Sequence, residues 1–185
     1  MDDLYIKKVL DGDTEAFRYF VSQYKDMAFT LSMSVVKNEF VATDVVQEAF
    51  MKTFQNLKKF KGNSKFSTWF YRIVVNESIK VIRKKGEQSM DLDNSHHLHP
   101  VSEPSAIDQM KELEREYHIN EILTRLAAGE SLVLRLFYLN ENSVAEICEI
   151  TGWSESKVKV TLHRARKNME KQLTKKLKGE AKTLI

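Results

Sequence analysis

The chain has 185 residues, of which 42% are hydrophobic, with only 6 Gly, 2 Pro and 1 Cys. This composition excludes a wholly disordered chain, a disulfide framework and a turn-rich sheet. No uninterrupted apolar run approaches the roughly 20 residues that are needed to cross a bilayer. The net charge of +3 divides into +5 over residues 1–86, −4 over 87–104, −5 over 105–153 and +7 over 154–185, and two separated basic zones predict two contacts with a polyanion.

Helical periodicity runs through most of residues 4–86. Apolar residues follow the i, i+3, i+4, i+7 pattern first at Phe17, Phe20, Val21 and Tyr24, and again from Val45 to Phe54. Asp13 or Thr14 is expected to cap the first of these helices, and Thr43 or Asp44 the second. Gly62-Asn63-Ser64 is a turn signal, after which a further helix is expected from Ser67 or Thr68 towards Lys85.

Four aromatic residues in this last helix allow two interpretations. Phe66, Trp69, Phe70 and Tyr71 stand beside Lys61, Lys65 and Arg72, and aromatics interleaved with basic residues are how proteins grip unstacked single strands. Phe66 and Phe70 also have helical spacing, which predicts that most of the rings lie in a core. For Trp69 both a core position and a strand-facing position stay open.

Residues 87–105 differ in composition from the rest of the chain. They contain both prolines and few large apolar residues, which predicts an acidic flexible linker. His96, His97 and His99 within it favour a solvated linker over a metal site, since no acidic or thiol partner has ligand spacing nearby. We therefore expect no metal and no cofactor.

The helical pattern resumes at Ala106. Helices are expected over about Ile107–Leu126 and Glu130–Leu139, and residues 143–173 then read as a short helix, a turn at Thr151-Gly152-Trp153 and a longer basic helix. This is the pattern of a helix-turn-helix, which places its second helix in the major groove of DNA. The alternative is an amphipathic basic helix on a solvated surface.

The second helix of this motif can be phased from its apolar residues. The stripe that should face the core is Val158, Leu162, Ala165, Met169 and Leu173, and Ser154 is placed to cap the helix. The outward residues are then Ser156, Lys159, Val160, His163 and Lys167, with Arg164 and Arg166 on the flanks. Lys159, His163 and Arg164 are candidates for base edges, and Val160 for a thymine methyl group. The lone Cys148 is expected to be a small buried hydrophobe rather than a redox switch.

The predicted fold class is all-α, with two small helical domains. The predicted boundaries are 1–86 for the first domain, 87–105 for the linker, 106–178 for the second domain and 179–185 for a tail. The lone cysteine and the acidic N-terminus, which has no signal-peptide core, suit a cytoplasmic protein.

Three motifs carry a resemblance that covers nearly the whole chain. DVVQEAF at 44–50, FSTWFYRIVVN at 66–76 and SKVKVTLHRARKNMEKQL at 156–173 occur in the order found in the extracytoplasmic-function (ECF) group of bacterial sigma factors. The chain resembles that group, and the resemblance implies that the two domains are sigma region 2 and sigma region 4. Thr161 stands where the group often has Arg, and Lys80 where Asp is common, which leaves the promoter sequence open.

The resemblance implies a role for each matching residue. The positions that would dock on core RNA polymerase, on the coiled coil of β′, are Asp44, Gln47, Glu48 and Phe50. The positions that would bind the −10 element are Phe60, Lys61, Asn63, Ser64, Lys65, Asn76, Arg83 and Lys84. The positions that would bind the −35 element are Ser156, Lys157, Lys159, Val160, His163, Arg164, Arg166 and Lys167.

The implied function is that of a dissociable initiation subunit, which binds core RNA polymerase (β′ and β), recognises the −35 and −10 promoter elements and promotes melting of the DNA. The implied partners are polymerase, promoter DNA and an anti-sigma factor, with no small-molecule substrate and with membrane contact only through the anti-sigma factor. The alternative is a two-domain regulator that binds DNA without polymerase. An enzyme is disfavoured, since no phosphate loop, metal cluster or nucleophile elbow is found, and no catalytic residue is expected.

Overall fold

The computed structural model describes residues 1–88 and 119–183, and every regular element in these two ranges is helical. The helices are α1 (Asp2–Leu10), α2 (Arg18–Val36), α3 (Glu39–Asn56), α4 (Phe66–Gln88), α5 (119–125), α6 (Ala128–Leu134), α7 (Val144–Thr151) and α8 (Glu155–Thr183). Short 3-10 turns at Thr14–Phe17 and Leu57–Lys59, and a π turn at Arg135–Leu139, connect or extend them. The predicted all-α class is confirmed.

The first unit, residues 1–88, packs α2, α3 and α4 around an aromatic core. The ring of Phe20 lies 4.3 Å from that of Phe66, and Phe50 stacks on Phe70 at 4.6 Å. Helix α1 is held on this bundle by Asp2, whose carboxylate accepts hydrogen bonds from the hydroxyls of Tyr19 and Tyr24 at 3.0 and 2.6 Å. Most of the rings predicted to face either the core or a nucleic acid therefore build the core.

The start of α3 differs from the sequence prediction. The helix begins at Glu39, and its cap is Asn38, whose side-chain oxygen accepts from the backbone N–H of Val41 at 3.0 Å. Thr43 lies inside the helix, where its hydroxyl donates to the carbonyl of Glu39. The prediction that Thr43 or Asp44 caps this helix is wrong, because Lys37 in the left-handed region ends α2 and lets Asn38 begin α3 at once. The predicted cap at Asp13 is confirmed.

The second unit is built from α5 to α8. Helix α6 continues into the π turn, which confirms a helix over Glu130–Leu139, and Arg135 in this turn is buried. The predicted helix over Ile107–Leu126 is described only from residue 119, and the rest of it lies outside the described residues, as does the linker from residue 89. Helix α7 begins with a capping box in which Ser143 and Glu146 each accept from the other's backbone N–H.

The turn between α7 and α8 depends on Gly152. Its φ of 70° and ψ of 16° lie in the left-handed region, and its N–H donates to the carbonyl of Cys148 at 2.8 Å, which closes the end of α7. Ser154 caps α8 as predicted, since its hydroxyl accepts from the N–H of Lys157. The helix-turn-helix predicted from the sequence is therefore present.

We expect Gly152→Ala to lower the free energy of unfolding by about 1 kcal/mol, because a side chain with a β-carbon is strained in the left-handed region. Gly152→Asn is the matched control, since Asn tolerates this conformation better. Urea unfolding followed by tryptophan fluorescence, to which Trp69 and the neighbouring Trp153 both contribute, measures both variants. Equal losses for Ala and Asn would show that the backbone conformation at this turn is not what makes glycine necessary.

The two units pack against each other. Helix α2 contacts α6, and α4 contacts α7. Buried apolar residues of both units belong to one contiguous cluster. Hydrogen bonds cross the contact at the hydroxyls of Ser34 and Ser131, 3.3 Å apart, and between the ammonium of Lys37 and the carbonyl of Thr124 at 2.8 Å.

Candidate nucleic-acid and protein interfaces

The outer face of α3 combines acidic, amide and apolar side chains. Asp44, Gln47 and Glu48 are all exposed on it, as the sequence predicted. Phe40 and Met51 extend the same face at both ends and are 83% and 57% exposed. The spacing of these five residues keeps them on one side of the helix. We call this set the α3 docking face.

Phe50 does not belong to the α3 docking face. Its side chain is 8% exposed and stacks on Phe70 in the core of the first unit, because it lies on the same side of α3 as the buried Val46. The inclusion of Phe50 with the exposed docking residues is therefore corrected, and Met51 takes its place at the surface. The sequence offered a signal for this, since Phe50 continues the apolar stripe of α3.

An ion-pair network lies behind one end of the α3 docking face. Lys52 pairs with Glu48 at 3.3 Å and with Glu77 of α4 at 2.6 Å. The hydrogen bond with Glu77 is the main reason that the pKa of Lys52 is raised. Asp44 has no ion pair within the described ranges, whereas Glu48 is paired with Lys52. The carboxylate of Asp44 is therefore more available to a partner protein than that of Glu48.

The loop between α3 and α4 carries five of the predicted −10 residues. Lys61, Asn63 and Lys65 are exposed, and Ser64 is partly buried. Phe60 is also partly buried, because its ring packs 5.3 Å from that of Trp69. Trp69 is likewise partly buried against the core. It is therefore neither fully in the core nor fully exposed to a nucleic-acid strand, the two alternatives that the sequence left open.

Lys65 is engaged by the second unit. Its ammonium lies 2.8 Å from the carboxylate of Glu146, the residue that also completes the capping box of α7. The hydrogen bond with Lys65, followed by the bond from the Ser143 N–H, lowers the pKa of Glu146 to about 2. The carboxyl of Glu146 is therefore ionised throughout the physiological pH range, and it binds both the ammonium of Lys65 and the backbone N–H of Ser143.

A polar row runs along the exposed side of α4. The predicted Asn76, Arg83 and Lys84 are exposed, and so are Arg72 and Lys80, which the set of predicted site residues omitted. Asn76 lies about 15 Å along the axis from Phe66 at the start of α4. The spacing of Arg72, Asn76, Lys80 and Arg83 at three or four residues would have revealed this row in the sequence. We call these four residues the α4 basic row.

Helix α8 has the phase that the sequence predicted. Val158, Leu162 and Ala165 are buried, and Met169 and Leu173 are partly buried. The exposed residues are the full predicted set of Ser156, Lys157, Lys159, Val160, His163, Arg164, Arg166 and Lys167. Val160, which is 46% exposed, presents an apolar side chain in the middle of this basic surface.

Three cations of the α8 surface already have intramolecular partners. Lys157 lies over the ring of Trp153 at 4.1 Å, and Lys159 pairs with Glu155. Arg166 is also exposed, and its guanidinium donates to the hydroxyl of Tyr138 at 2.8 Å and lies near the rings of Phe137 and Tyr138. Arg164, His163 and Lys167 show no ion pair or ring contact among the described residues, so their polar groups are available for a ligand.

No group of three or more His, Cys, Asp or Glu in residues 1–88 and 119–183 is arranged to hold a metal ion. His96, His97 and His99 lie outside these ranges. None of the helices in the same ranges combines the length and the apolar character that crossing a bilayer requires.

Comparison with known proteins decides the family. Residues 20–88 match the family model for Sigma-70 region 2, and residues 119–169 match that for Sigma-70, region 4. The chain is 35% identical over 176 residues to the ECF RNA polymerase sigma factor SigW of Bacillus subtilis, covering 91% of this chain and 94% of that protein. This chain belongs to the ECF family of RNA polymerase sigma factors. It is therefore a transcription initiation factor.

Other relatives of this sigma factor agree with the assignment. It is 30% identical over 156 residues to the RNA polymerase sigma factor SigV of Bacillus subtilis, which covers 84% of this chain and 89% of the relative. Its fold is similar to that of RpoE in a complex with the anti-sigma factor NepR from Bartonella quintana, with a TM-score of 0.68, 21% identity, and coverage of 85% and 96%. CnrH in complex with the cytosolic domain of CnrY gives a TM-score of 0.63.

Proposed function

We propose that this sigma factor docks on core RNA polymerase through α3 and holds promoter DNA through two separate surfaces, one on each unit. The observation that carries this division is that one chain exposes an acidic and apolar face on α3 and basic faces on α4 and α8. An acidic and apolar surface suits a protein partner and basic surfaces suit a polyanion, and because these surfaces are separate the chain can bind both at the same time.

The α3 docking face supports binding to a basic surface of polymerase. Asp44 and Glu48 supply negative charge, and Phe40 and Met51 supply apolar area at either end. Interfaces of this kind gain affinity from apolar anchors and gain orientation from complementary charge. The partner that fits is a helical element of the β′ subunit with basic and apolar side chains.

The loop before α4 and the α4 basic row form the proposed −10 surface. Lys61, Asn63 and Lys65 belong to the loop that begins at Phe60, whose ring lies 5.3 Å from that of Trp69, so a base that leaves the stack would meet polar groups and rings on this segment. The α4 basic row continues this surface along the helix by about 15 Å, where phosphates of the adjoining DNA would lie. Melting follows because binding the unstacked base offsets the cost of opening the duplex.

The exposed side of α8 forms the proposed −35 surface. Lys159, His163 and Arg164 face solvent over two turns of the helix, with Val160 between them. An arginine at such a position reads guanine through two hydrogen bonds, and an apolar side chain contacts the thymine methyl group. Arg166, whose guanidinium is bonded to Tyr138, supports the helix from the side in this account.

The remaining partners follow from the same proposal. An anti-sigma factor is a proposed regulator, since a solved structure of similar fold holds the sigma factor RpoE in complex with the anti-sigma factor NepR. The protein acts in the cytoplasm, where polymerase is, and the isolated chain catalyses no reaction. The proposed domain limits remain 1–86 and 106–178, with the linker and the tail outside them.

The experiment that tests the function is transcription in vitro from fragments of the source genome. Core polymerase with the purified chain should start RNA chains at discrete positions, and the same core without the chain should not. The start sites should share two sequence elements upstream, at the spacing that two separate DNA contacts require. Discrete starts that are equally frequent without the chain would exclude the proposal.

A further inference from the structure

The first turn of α6 contains a glycine that its backbone conformation does not require. Gly129 is the second residue of the helix, and the positive φ angles among the described glycines belong to Gly12, Gly62 and Gly152. Alanine has a higher helix propensity than glycine, so it would stabilise α6 if nothing else opposed it. The reason for a glycine at this position therefore lies in its surroundings.

The neighbour that opposes a larger side chain is the indole of Trp153. A β-carbon on Gly129 would lie 2.8 Å from Cη2 at the tip of the ring, which is well inside the van der Waals contact distance of two carbon atoms. At Gly152, by contrast, a β-carbon would meet no atom within 4 Å. Trp153 is itself partly buried against the core. Gly129 thus forms a recess on α6 that receives the tip of the indole.

The face of the same indole binds a cation from the first turn of α8. The ammonium of Lys157 lies 4.1 Å from the centroid of the Trp153 ring, and such a cation is attracted by the negative face of the indole. The backbone N–H of Lys157 donates to the hydroxyl of Ser154 at 3.3 Å, so the backbone beneath this cation is fixed as well. Rotation of the indole about either side-chain torsion would press its tip against α6 or separate its face from Lys157.

A second contact joins α6 to α8 further along the helix. Both carboxylate oxygens of Glu130 accept from the side-chain amide of Asn168, at 2.9 and 3.1 Å. Trp153 and Asn168 are about 20 Å apart along the direction of α8. The exposed residues from Lys159 to Arg164 lie between them. Two contacts at separated points fix the direction of a helix, so the consecutive residues Gly129 and Glu130 determine how α8 is presented.

We propose that Trp153 is a positioning residue for the −35 surface, and that its indole, received by Gly129, sets the angle at which α8 meets DNA. Hydrogen bonds to base edges need a narrow range of distances and angles, whereas phosphate contacts carry no sequence information. A change of this angle should therefore reduce discrimination between sequences more than it reduces affinity for DNA in general. The role in reading rests on the proposed function of α8, whereas the fit of the indole on Gly129 does not.

The fit of the indole on Gly129 is tested by a double-substitution cycle in the full chain, without DNA. Gly129→Ala alone should lower the urea midpoint of unfolding, although alanine is the better helix former. In a Trp153→Phe chain the same change should raise the midpoint, because the shorter ring leaves room for the methyl group and keeps a face for Lys157. Equal shifts of the midpoint in the two backgrounds would overturn the fit.

The indole N–H signals report the same contact without unfolding. The chain contains two tryptophans, Trp69 and Trp153, so a proton–nitrogen correlation spectrum should show two indole signals, and Trp153→Phe assigns them by removing one. Gly129→Ala should move the signal of Trp153 and leave that of Trp69 in place. An unmoved Trp153 signal in a folded Gly129→Ala chain would overturn the fit of the indole on Gly129.

The consequence for reading is tested with holoenzyme on the preferred promoter duplex and on the same duplex with a scrambled −35 element. Gly129→Ala should lower the ratio of the two affinities about fivefold, and adding Trp153→Phe should recover most of that ratio. If Gly129→Ala kept the full ratio, or weakened both duplexes equally, the positioning role would be overturned while the −35 function stood. A parent holoenzyme that bound both duplexes alike would overturn the proposed −35 function and the positioning role together.

Discussion

Core RNA polymerase is expected to bind the Asp44→Lys chain at least tenfold more weakly than the parent chain, a loss of about 1.4 kcal/mol or more. Asp44 is exposed in the middle of the α3 docking face and has no ion pair among the described residues, so the substitution breaks no contact within the chain. Reversal of Glu48 is less informative, because it would also disturb Lys52. A titration of core polymerase with labelled chain, at physiological salt, measures the affinity.

The matched control is Asp26→Lys. Asp26 is exposed on α2, so the substitution makes the same change of net charge away from the α3 docking face. Both variants should unfold at the parent's urea midpoint, and Asp26→Lys should keep the parent's affinity. If the two substitutions weakened polymerase binding equally, the effect would come from net charge, and the α3 face would lose its assignment.

The second large effect is expected at Arg164. Arg164→Ala should cost about 1–3 kcal/mol in binding to the preferred promoter duplex and should relax the sequence preference at one position of the −35 element. The reason is that Arg164 is exposed on α8 and shows no ion pair in the described part of the chain, so its guanidinium is available for a base edge. Binding of holoenzyme to a set of duplexes with single changes in that element measures both effects.

Lys171→Ala provides the comparison on the same helix. Lys171 is exposed two turns further along α8, and loss of its charge should weaken binding to all of the duplexes by the same factor. The two substitutions remove one positive charge each, which isolates the loss of base reading from the loss of charge. A uniform effect of Arg164→Ala across the set would make Arg164 a phosphate contact and would remove it from the reading surface.

The sequence predicted those features of the fold that rest on strong periodicity. The stripe of Val158, Leu162 and Ala165 was placed correctly because helical spacing leaves only one way to bury it. The beginning of α3 was misplaced, because the left-handed Lys37 is not a glycine and gave no sign that α2 ends there. Local sequence signals thus locate a helix better than they locate its first residue.

Helical periodicity could not predict the contacts between the two units. Ser34 and Ser131 are buried where α2 meets α6, but serine in a helix is read as polar, and nothing in the spacing joins two residues so far apart in the chain. The same holds for Lys65, which looks available in the sequence and is held by Glu146 in the structure. The burial of Phe50 could have been predicted from its place in the apolar stripe of α3. The pairs Ser34–Ser131 and Lys65–Glu146 could be identified only from the packed helices.

The measurement that tests the account most directly is the equilibrium binding of the purified chain to bacterial core RNA polymerase that lacks any sigma subunit. We expect a stoichiometric complex at physiological salt that forms without DNA and is weakened by Asp44→Lys. We also expect this complex, unlike the free chain, to open promoter DNA. Specific binding of the free chain to duplex DNA with no binding to core polymerase would contradict the account and would indicate a regulator that acts on DNA alone.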